Sequence, residues 1–307
     1  MKILVLGATG MLGHKMFQLL RQRFPDTHGT VRGSVNDRQL AGIELFRQGN
    51  IIENFRAENL VFLSEILRDL RPQVIVNCIG IIKQRDTAQG PVPCITLNAL
   101  LPHQLAEICR EWRCRLIHFS TDCVFSGKSG GYTEEDLSDA TDLYGKTKYL
   151  GEVTAADALT LRTSIIGREI AHYSSLLEWF LDQNQKKVRG YKNASYSGVT
   201  TNYLVKLVGD VIENHSTLSG LYQVTSRQTI SKYELLCLLR EAYDRDVDIL
   251  PDESFFCDRS MWGGKFHRAT GHICPSWREL VTELSGDPTP YEKWRYSQCS
   301  YSKASAS

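Results

Sequence analysis

A tyrosine and a lysine four residues apart, Tyr144 and Lys148, are the pair of side chains best placed to do chemistry in this sequence. The stretch from 144 to 148 reads as helix, where a spacing of four puts both side chains on one face. An ammonium group beside a phenol lowers the phenol's pKa. We therefore expect Tyr144 to exchange a proton near neutral pH. The alternative is that the spacing arose by chance and the ring packs in a core.

A hydroxyl group at the end of a predicted strand is the second candidate for chemistry. The strand from Arg115 to Phe119 delivers Ser120, Thr121 and Asp122 at its carboxyl end, which is where doubly wound sheets build their active sites. A hydroxyl residue at a strand end and a Tyr-x-x-x-Lys helix about twenty residues later are much less likely to occur together by chance than either one alone. The alternatives are that Thr121 bonds only its own backbone and that Asp122 only caps the following turn.

A glycine-rich turn near the N-terminus indicates a nucleotide. An apolar run over 2–6 breaks into Gly7-Ala8-Thr9-Gly10-Met11-Leu12-Gly13 before a helical pattern. Strand, glycine turn and helix form a cradle in which the helix N-terminus faces a pyrophosphate and the backbone approaches it closely. A merely structural turn is the alternative. We predict that the cofactor contacts Gly7, Thr9, Gly10, Met11, Leu12 and Gly13.

The end of the second predicted strand bears on the choice of dinucleotide. This strand covers about 27 to 31 and ends at Arg32-Gly33-Ser34, where NAD-selective folds often place an Asp or Glu for the ribose 2′-hydroxyl. No acidic residue stands at that strand end, and Arg32 with Ser34 could hold a 2′-phosphate. We expect NADPH, with NADH as the alternative. Arg32 as an ordinary solvated side chain is the competing interpretation.

Strands and helices alternate through the first half of the chain. Apolar residues with helical spacing fill 60–70, Pro72 stops that helix, and a buried strand over 74–76 runs into Asn77. Asn98 opens the next helix, which is predicted to run from Ala99 to about Arg113. Such alternation predicts an α/β protein whose parallel sheet is covered by helices on both faces.

Composition excludes several classes of function. The net charge is +1, which predicts no polyanionic partner such as nucleic acid. The N-terminal apolar run is too short for a signal peptide and no stretch reaches the ~18 apolar residues of a membrane span, so a cytoplasmic protein is expected. Nine cysteines without C-x-x-C spacing indicate no disulfide framework and no metal site. A homodimer is compatible with the sequence, which does not fix the oligomeric state.

Together these segments resemble the extended short-chain dehydrogenase/reductases, and within them the dTDP-4-dehydrorhamnose reductase (RmlD-like) group. The resemblance runs from Met1 to about Glu283. It rests on the glycine signature, Asn77-Cys78-Ile79-Gly80, Asn98-Ala99, the segments 120–127 and 144–148, Gly151-Glu152, and the segment 161–167.

The resemblance implies a Rossmann-type doubly wound parallel sheet with a smaller C-terminal substrate-binding lobe. The irregular pattern after Gly167 agrees with such a lobe. We divide the chain into an NAD(P)-binding domain over 1–166 with parts of 190–230, a mostly substrate-binding lobe over 167–296, and a flexible tail over 297–307.

The resemblance also implies the reaction and its residues. Thr121 and Tyr144 would contact the 4-keto oxygen of a nucleotide-linked deoxysugar, Tyr144 would donate the proton, and Lys148 would hold the nicotinamide ribose and lower the phenol's pKa. Further cofactor contacts are implied at Asn77, Cys78, Ile79, Gly80 and Asn98. Substrate contacts are implied at Lys83, Asp122, Val124, Phe125, Arg162, Thr163 and Arg259.

Some features separate this chain from other members of the superfamily. Sugar-nucleotide 4,6-dehydratases follow the threonine with Asp and Glu, whereas Asp122 is followed here by Cys123, which favours a simple reductase. A sugar-nucleotide epimerase and a non-catalytic, nucleotide-binding regulatory subunit remain as alternatives. Arg56 stands where relatives usually carry an acid that contacts adenine, and the loop 258–264 is altered after Ser260, so the sugar preference stays open.

Overall fold

The computed structural model of this protein describes residues 1–82 and 90–296. Lys83 and the predicted tail 297–307 lie outside the described residues. The strands are β1 (Ile3–Leu6), β2 (Thr27–Thr30), β3 (Ile51–Ile52), β4 (Val74–Asn77), β5 (Arg115–Ser120), β6 (Ala158–Arg162), β7 (Ile165–Ile166), β8 (Lys187–Tyr196), β9 (Val199–Thr200), β10 (Gly220–Gln223), β11 (Ile230–Ser231) and β12 (Asp248–Asp258).

A seven-stranded sheet forms the centre of the molecule. Its order is β10-β6-β5-β4-β1-β2-β3, and every pairing in it is parallel. Strands 3-2-1-4-5-6 in this order are the Rossmann arrangement, to which β10 adds a seventh strand. The prediction of a doubly wound parallel sheet is confirmed.

Helices cover both faces of this sheet. The α-helices of the described residues are α1 (Met11–Arg23), α2 (Glu44–Arg47), α3 (Leu60–Leu70), α4 (Pro91–Cys94), α5 (Leu101–Trp112), α6 (Leu143–Leu150), α7 (Leu176–Leu181), α8 (Thr201–Asn214), α9 (Lys232–Ala242), α10 (Gly264–Thr270) and α11 (Trp277–Ser285). Alternate residues of β1 face opposite sides. Ile3 and Val5 join a core with α1 and α8, whereas Leu4 and Leu6 join a core with α3 and α5.

A smaller sheet lies above the carboxyl ends of the central strands. In it β8 pairs with β11 on one side and with β12 on the other, and α9 packs against β8. The end of β12 returns to the loop after β5, since Asp258 N donates to Gly127 O at 2.7 Å and Tyr132 N donates to Ser260 O at 2.9 Å. This return joins the smaller sheet to the region of the predicted site.

The helix that contains Asn98 differs from its prediction. It begins at Pro91 instead of Ala99 and passes through a π-helical turn, Ile95–Leu100, before α5. Leu101 N donates to Thr96 O, as the π pattern requires, and Pro102 has no N–H to donate to Asn98 O in an α pattern. Asn98 therefore lies inside a widened turn and not at a helix N-terminus.

The last described segment closes over α1. Lys15, which is 1% exposed, pairs with Asp287 at 2.5 Å, and His14 Nε2 lies 2.9 Å from the hydroxyl of Tyr291. Burial lowers the pKa of His14 to about 4, so its imidazole is neutral at pH 7. Residues from the end of the chain thus hold the helix that follows the glycine turn.

Candidate active site

The glycine turn has the geometry that a dinucleotide cradle needs. Gly7 has φ +80°, in the region that favours glycine, and a Cβ at Gly13 would lie 2.0 Å from Gly7 O. Gly13 therefore allows α1 to pack directly on the turn. A Cβ at Gly10 would meet only Gly7 O, at 3.6 Å, so the face of Gly10 is open to a ligand. Gly10 is the N-cap residue of α1, and no side chain accepts a hydrogen bond from the first N–H groups of this helix. These N–H groups could therefore bind a pyrophosphate.

Thr30 at the end of β2 supports this turn. Its Oγ1 accepts a hydrogen bond from Gly7 N at 3.0 Å, and its carbonyl accepts one from Ala8 N at 2.9 Å. Thr30 could not be predicted from the sequence, because a buried threonine in a strand is ordinary. Thr9 and Met11 lie half-buried beside the turn, whereas the side chain of Leu12 belongs to the core, so only the backbone of Leu12 can face a ligand.

In the loop after β2, Asp37 lies close to Gly33 and Ser34, a position that was not expected from the sequence. Arg32 is exposed. Asp37 folds back on the same loop, where its Oδ2 accepts a hydrogen bond from Ser34 N at 2.8 Å and lies 2.1 Å from the position of a Cβ at Gly33. The expectation that no acidic group stands at this strand end is therefore wrong. The loop exposes the Asp37 carboxylate together with the side chains of Arg32 and Arg38.

The predicted contacts after β4 come together beside the glycine turn. Asn77 Oδ1 accepts from Ile79 N at 3.0 Å, and the Ile79 side chain lies next to Gly7. Asn98 Oδ1 accepts from Ile81 N at 2.8 Å, and its Nδ2 donates to Ile81 O at 3.0 Å. A Cβ at Gly80 would lie 3.2 Å from Asn98 Oδ1. Asn77 and Asn98 therefore act by shaping the backbone of this loop.

Cys78 follows Asn77 at the same strand end. Burial raises the pKa of its thiol, so the residue is a small neutral neighbour of the turn and not a reactive thiolate.

Thr121 and Tyr144 meet at the carboxyl end of β5. The Tyr144 hydroxyl lies close to the Thr121 hydroxyl, near enough for Thr121 to act on its pKa. Thr121 also caps a short 3₁₀ turn, since its Oγ1 accepts from Cys123 N at 3.1 Å and donates to Asp122 Oδ1 at 3.1 Å. The structure thus brings together the two hydroxyl groups that the sequence assigned to one site.

The pKa of Tyr144 moves in the direction opposite to the one expected. Burial raises it, and the neighbouring Cys123 and Asp122 act in the same direction, while the hydrogen bond with Thr121 lowers it. The Lys148 ammonium does not offset this, because Lys148 Nζ donates to Phe119 O at 2.7 Å. The predicted lowering of the phenol's pKa is therefore wrong for the unliganded chain. At neutral pH Tyr144 keeps its proton, the state that a proton donor needs.

Lys148 lies buried between α6 and β5. Its side chain is anchored to the Phe119 carbonyl, which uses one of its three donors. Burial lowers the pKa of Lys148 to about 8, while the carboxylate of Glu152 acts to raise it. Two donors of a mostly charged ammonium remain for the hydroxyl groups of a ribose.

Arg162 is not available as an ordinary phosphate-binding side chain. Its Nε and Nη2 donate to both carboxylate oxygens of Glu152 at 2.8 and 2.7 Å. The two side chains are only 1% and 6% exposed, and the guanidinium lies 5.0 Å from the centre of the Phe125 ring. Arg162 thus forms a buried ion pair with Glu152, while its Nη1 has no hydrogen-bond partner among the described residues. The substrate contact implied at Arg162 stays a prediction.

Several implied substrate contacts belong to a small core. Val124 and Phe125 are fully buried with Met261, and the Phe125 ring stacks on Tyr132 at 4.1 Å. Thr163 is 4% exposed. Because these side chains are buried, they pack beneath the site and support it.

A second group of polar side chains reaches the site from the smaller sheet. Arg259 Nε donates to Phe125 O at 2.8 Å, and Nη1 lies 3.7 Å from Cys123 Sγ. The Lys232 ammonium lies 4.0 Å from the centre of the Tyr196 ring and faces Asp122 and Arg259. Arg259 was predicted to belong to the site. Lys232 was not, because a lysine in the first turn of a helix looks like a surface residue.

The part of the chain that the structure describes contains neither a candidate membrane span nor a candidate metal cluster. Within residues 1–82 and 90–296, no helix is both long and apolar enough to cross a bilayer. In the same ranges, no three His, Cys, Asp or Glu side chains are grouped as metal ligands would be.

The fold and the site together define the class of this protein. A Rossmann sheet, a glycine turn under α1, and Thr121, Tyr144 and Lys148 at the end of β5 are the framework of an extended short-chain dehydrogenase/reductase. The chain belongs to the RmlD substrate binding domain family, whose model matches residues 1–254. The recognition made from sequence motifs is confirmed.

Relatives in this family carry different names. The chain is 25% identical over 255 residues to methionine adenosyltransferase 2 subunit beta of Rattus norvegicus, a match that covers 79% of this chain and 72% of the relative. It is 29% identical over 157 residues to dTDP-4-keto-6-deoxy-D-glucose reductase of Streptomyces niveus, which covers 51% of this chain and 48% of the relative.

A solved structure shares the fold. The dTDP-4-dehydrorhamnose reductase of Bacillus anthracis, determined in complex with NADP, superimposes with a TM-score of 0.74 at 19% identity, covering 92% of this chain and 98% of that one. At this identity the likeness shows the fold alone.

Proposed function

We propose that this protein is an NAD(P)H-dependent reductase of the 4-keto group of a nucleotide-linked deoxysugar. The observation that carries the proposal is that the hydroxyl groups of Thr121 and Tyr144 meet at the end of β5, with the phenol protonated and buried Lys148 one helical turn further on in α6. The names of the reductase relative and of the solved reductase support the substrate class. The particular sugar and nucleotide base are left open.

The residues around the glycine turn suit a nicotinamide dinucleotide. The open face of Gly10 and the uncapped start of α1 would receive the pyrophosphate, and the free donors of Lys148 would hold the nicotinamide ribose. When bound, the reduced nicotinamide supplies a hydride. NADPH is the first choice because of Arg32, and NADH is the alternative that Asp37 favours.

In this reaction the side chains of the protein supply the proton. As a C–H bond forms at the keto carbon, the π electrons of the carbonyl move to oxygen. Tyr144 donates its hydroxyl proton to that oxygen, and the resulting phenolate takes a proton from solvent. Thr121 fixes the phenol by a hydrogen bond, and the Lys148 ammonium stabilises the negative charge that develops beside it.

A second candidate function is a non-catalytic, nucleotide-binding subunit of another enzyme. It is favoured by the relatives named as a beta subunit of methionine adenosyltransferase 2. The presence of Thr121, Tyr144 and Lys148 together at the end of β5 argues for catalysis. The epimerase alternative has less support, since an epimerase must also remove a proton from substrate, and the raised pKa of Tyr144 opposes that.

The deciding experiment incubates the purified protein with NADPH or NADH and a panel of 4-keto nucleotide-sugars. Loss of the nicotinamide absorbance together with a new hydroxyl product is the expected result. If the protein binds the dinucleotide but oxidises it with none of the sugars, the reductase proposal is wrong and the non-catalytic subunit is the better proposal. Lys146→Ala, an exposed change on the same helix, serves as the matched control and should keep full turnover.

A further inference from the structure

The buried ion pair between Glu152 and Arg162 lies behind the reacting pair and has no part in the proposed proton transfer. Both carboxylate oxygens are bound by the guanidinium, at 2.8 and 2.7 Å, in a region closed to solvent. A buried ion pair usually adds little stability compared with well-packed apolar side chains. Stability alone therefore does not account for its presence.

The Glu152 carboxylate also contacts the strand that carries Thr121. Ser120 Oγ donates to Glu152 Oε1 at 2.6 Å, and Ser120 directly precedes Thr121. Arg162 stands at the end of β6, opposite Ser120 in the strand register. One carboxylate thus links the ends of β5 and β6 to the end of α6, just below the site.

The charges that surround Lys148 come from several elements. Glu152, one turn beyond Lys148, is the carboxylate that acts on it. His118 of β5 faces the ammonium and is neutral at pH 7, because burial takes its pKa well below the usual value. Tyr144 of the same helix is protonated, and Arg162 approaches from β6 behind Glu152. Glu152 is therefore placed to balance the Lys148 charge.

We propose that Glu152 is a positioning residue: its carboxylate fixes the end of β5 through Ser120 and keeps the Lys148 ammonium charged, while Arg162 holds the carboxylate in place. This inference rests on the proposed function in one respect, namely that Lys148 holds the nicotinamide ribose. The electrostatic relation itself is a property of the free chain.

Two substitutions that break the same ion pair should move Lys148 in opposite directions. Glu152→Gln removes the anion and leaves the cation of Arg162, so the titration of Lys148 should shift down by roughly one pH unit. Arg162→Met leaves the anion unopposed, so the titration should shift up by about the same amount. Because both changes remove the same pair, a merely structural role would damage both variants alike.

The titration is followed in the free protein by carbon NMR of chains labelled with ¹³C at the lysine Cε atoms. The signal of Lys148 is assigned by its absence from Lys148→Arg. Glu213→Gln, which removes an exposed carboxylate paired with Arg23, is the matched control and should leave the titration unchanged. Thermal melting of each variant checks that it is folded.

Opposite shifts in the two variants support the proposal. Shifts of the same sign, or an unchanged titration in Glu152→Gln, overturn it. If Glu152→Gln does not fold, the double variant Glu152→Gln/Arg162→Met, which buries no unpaired charge, replaces it and should titrate below the single Arg162→Met variant; an equal or higher midpoint overturns the proposal. No substrate is used, so a failure of the reductase proposal in the turnover assay is a separate result.

Discussion

Gly145 lies directly against the backbone of Cys123: a Cβ at Gly145 would lie 2.3 Å from the Cys123 carbonyl oxygen and 2.6 Å from Ala140 Cβ. The missing side chain lets α6 touch the 3₁₀ turn that follows β5. This contact sets the distance between Tyr144 on the helix and Thr121 at the strand end. The glycine inside the Tyr-x-x-x-Lys motif is thus part of the site geometry.

Gly145→Ala should lower both stability and turnover. Helix propensity alone predicts the opposite, a gain of about 1 kcal/mol. The close contact instead predicts a loss of about 1–3 kcal/mol from overpacking, with Tyr144 displaced from Thr121. Urea unfolding and reductase turnover measure the two effects. Lys146→Ala, in the same helix but exposed, is the control, and a Gly145→Ala protein as stable as this control would contradict the contact.

Tyr144→Phe should retain dinucleotide binding and lose turnover by roughly 10²- to 10⁴-fold, the usual contribution of a general acid. The substitution keeps the ring and removes only the hydroxyl that donates the proton. Fluorescence titration with NADPH and single-turnover kinetics separate binding from chemistry. Tyr149→Phe, a half-buried tyrosine on the same helix, should behave like the wild type. Turnover retained in Tyr144→Phe would remove this residue from the mechanism.

The rate of reduction should fall as pH rises through about 8. The pKa of Lys148 is lowered to about 8 by burial, so its charge is present below that pH and is lost above it. The pKa of Tyr144 is raised, so the phenol stays protonated over the same window. We therefore expect a plateau in kcat/KM near neutral pH and an approximately tenfold fall per pH unit well above the midpoint. A rate that continued to rise in this alkaline range would indicate that the phenolate reacts.

Arg32 and Asp37 should have opposite effects on cofactor choice. Arg32→Ala removes the cation that could pair with a 2′-phosphate, and we expect NADPH binding to weaken roughly tenfold or more with little change for NADH. Asp37→Asn removes the anion on the same loop and should strengthen NADPH relative to NADH. Dissociation constants for both dinucleotides test this. Equal losses for NADPH and NADH in Arg32→Ala would show that Arg32 does not contact the 2′ position.

Much of the fold and the centre of the site followed from local sequence. Local patterns of a few residues predicted the glycine turn, the strand ends and the Tyr144 to Lys148 helix. Such patterns are informative because the side chains they place together are close in the sequence. The alternation of strands and helices predicted the parallel sheet with helices on both faces, whereas the order of its strands comes from the structure.

The errors came from contacts between distant segments. Arg162 was expected to contact the substrate, and only the fold shows that it pairs with Glu152, which lies on another element. Lys232 reaches the site from the smaller sheet, which no local pattern indicates. The direction of the Tyr144 pKa depends on how deeply the ring is buried, and a helical spacing carries no information on depth.

The contacts of Lys15 with Asp287 and of His14 with Tyr291 have a consequence for synthesis of the chain. The helix beside the glycine turn is made first, yet its buried cation finds its carboxylate only when residues near the end have been translated. A buried charge without its partner costs about 3–5 kcal/mol. A nascent chain that has not yet reached residues 287–291 therefore lacks the contacts that hold the helix beside the glycine turn, and this helix gains its buried partners only after residue 291 has been translated.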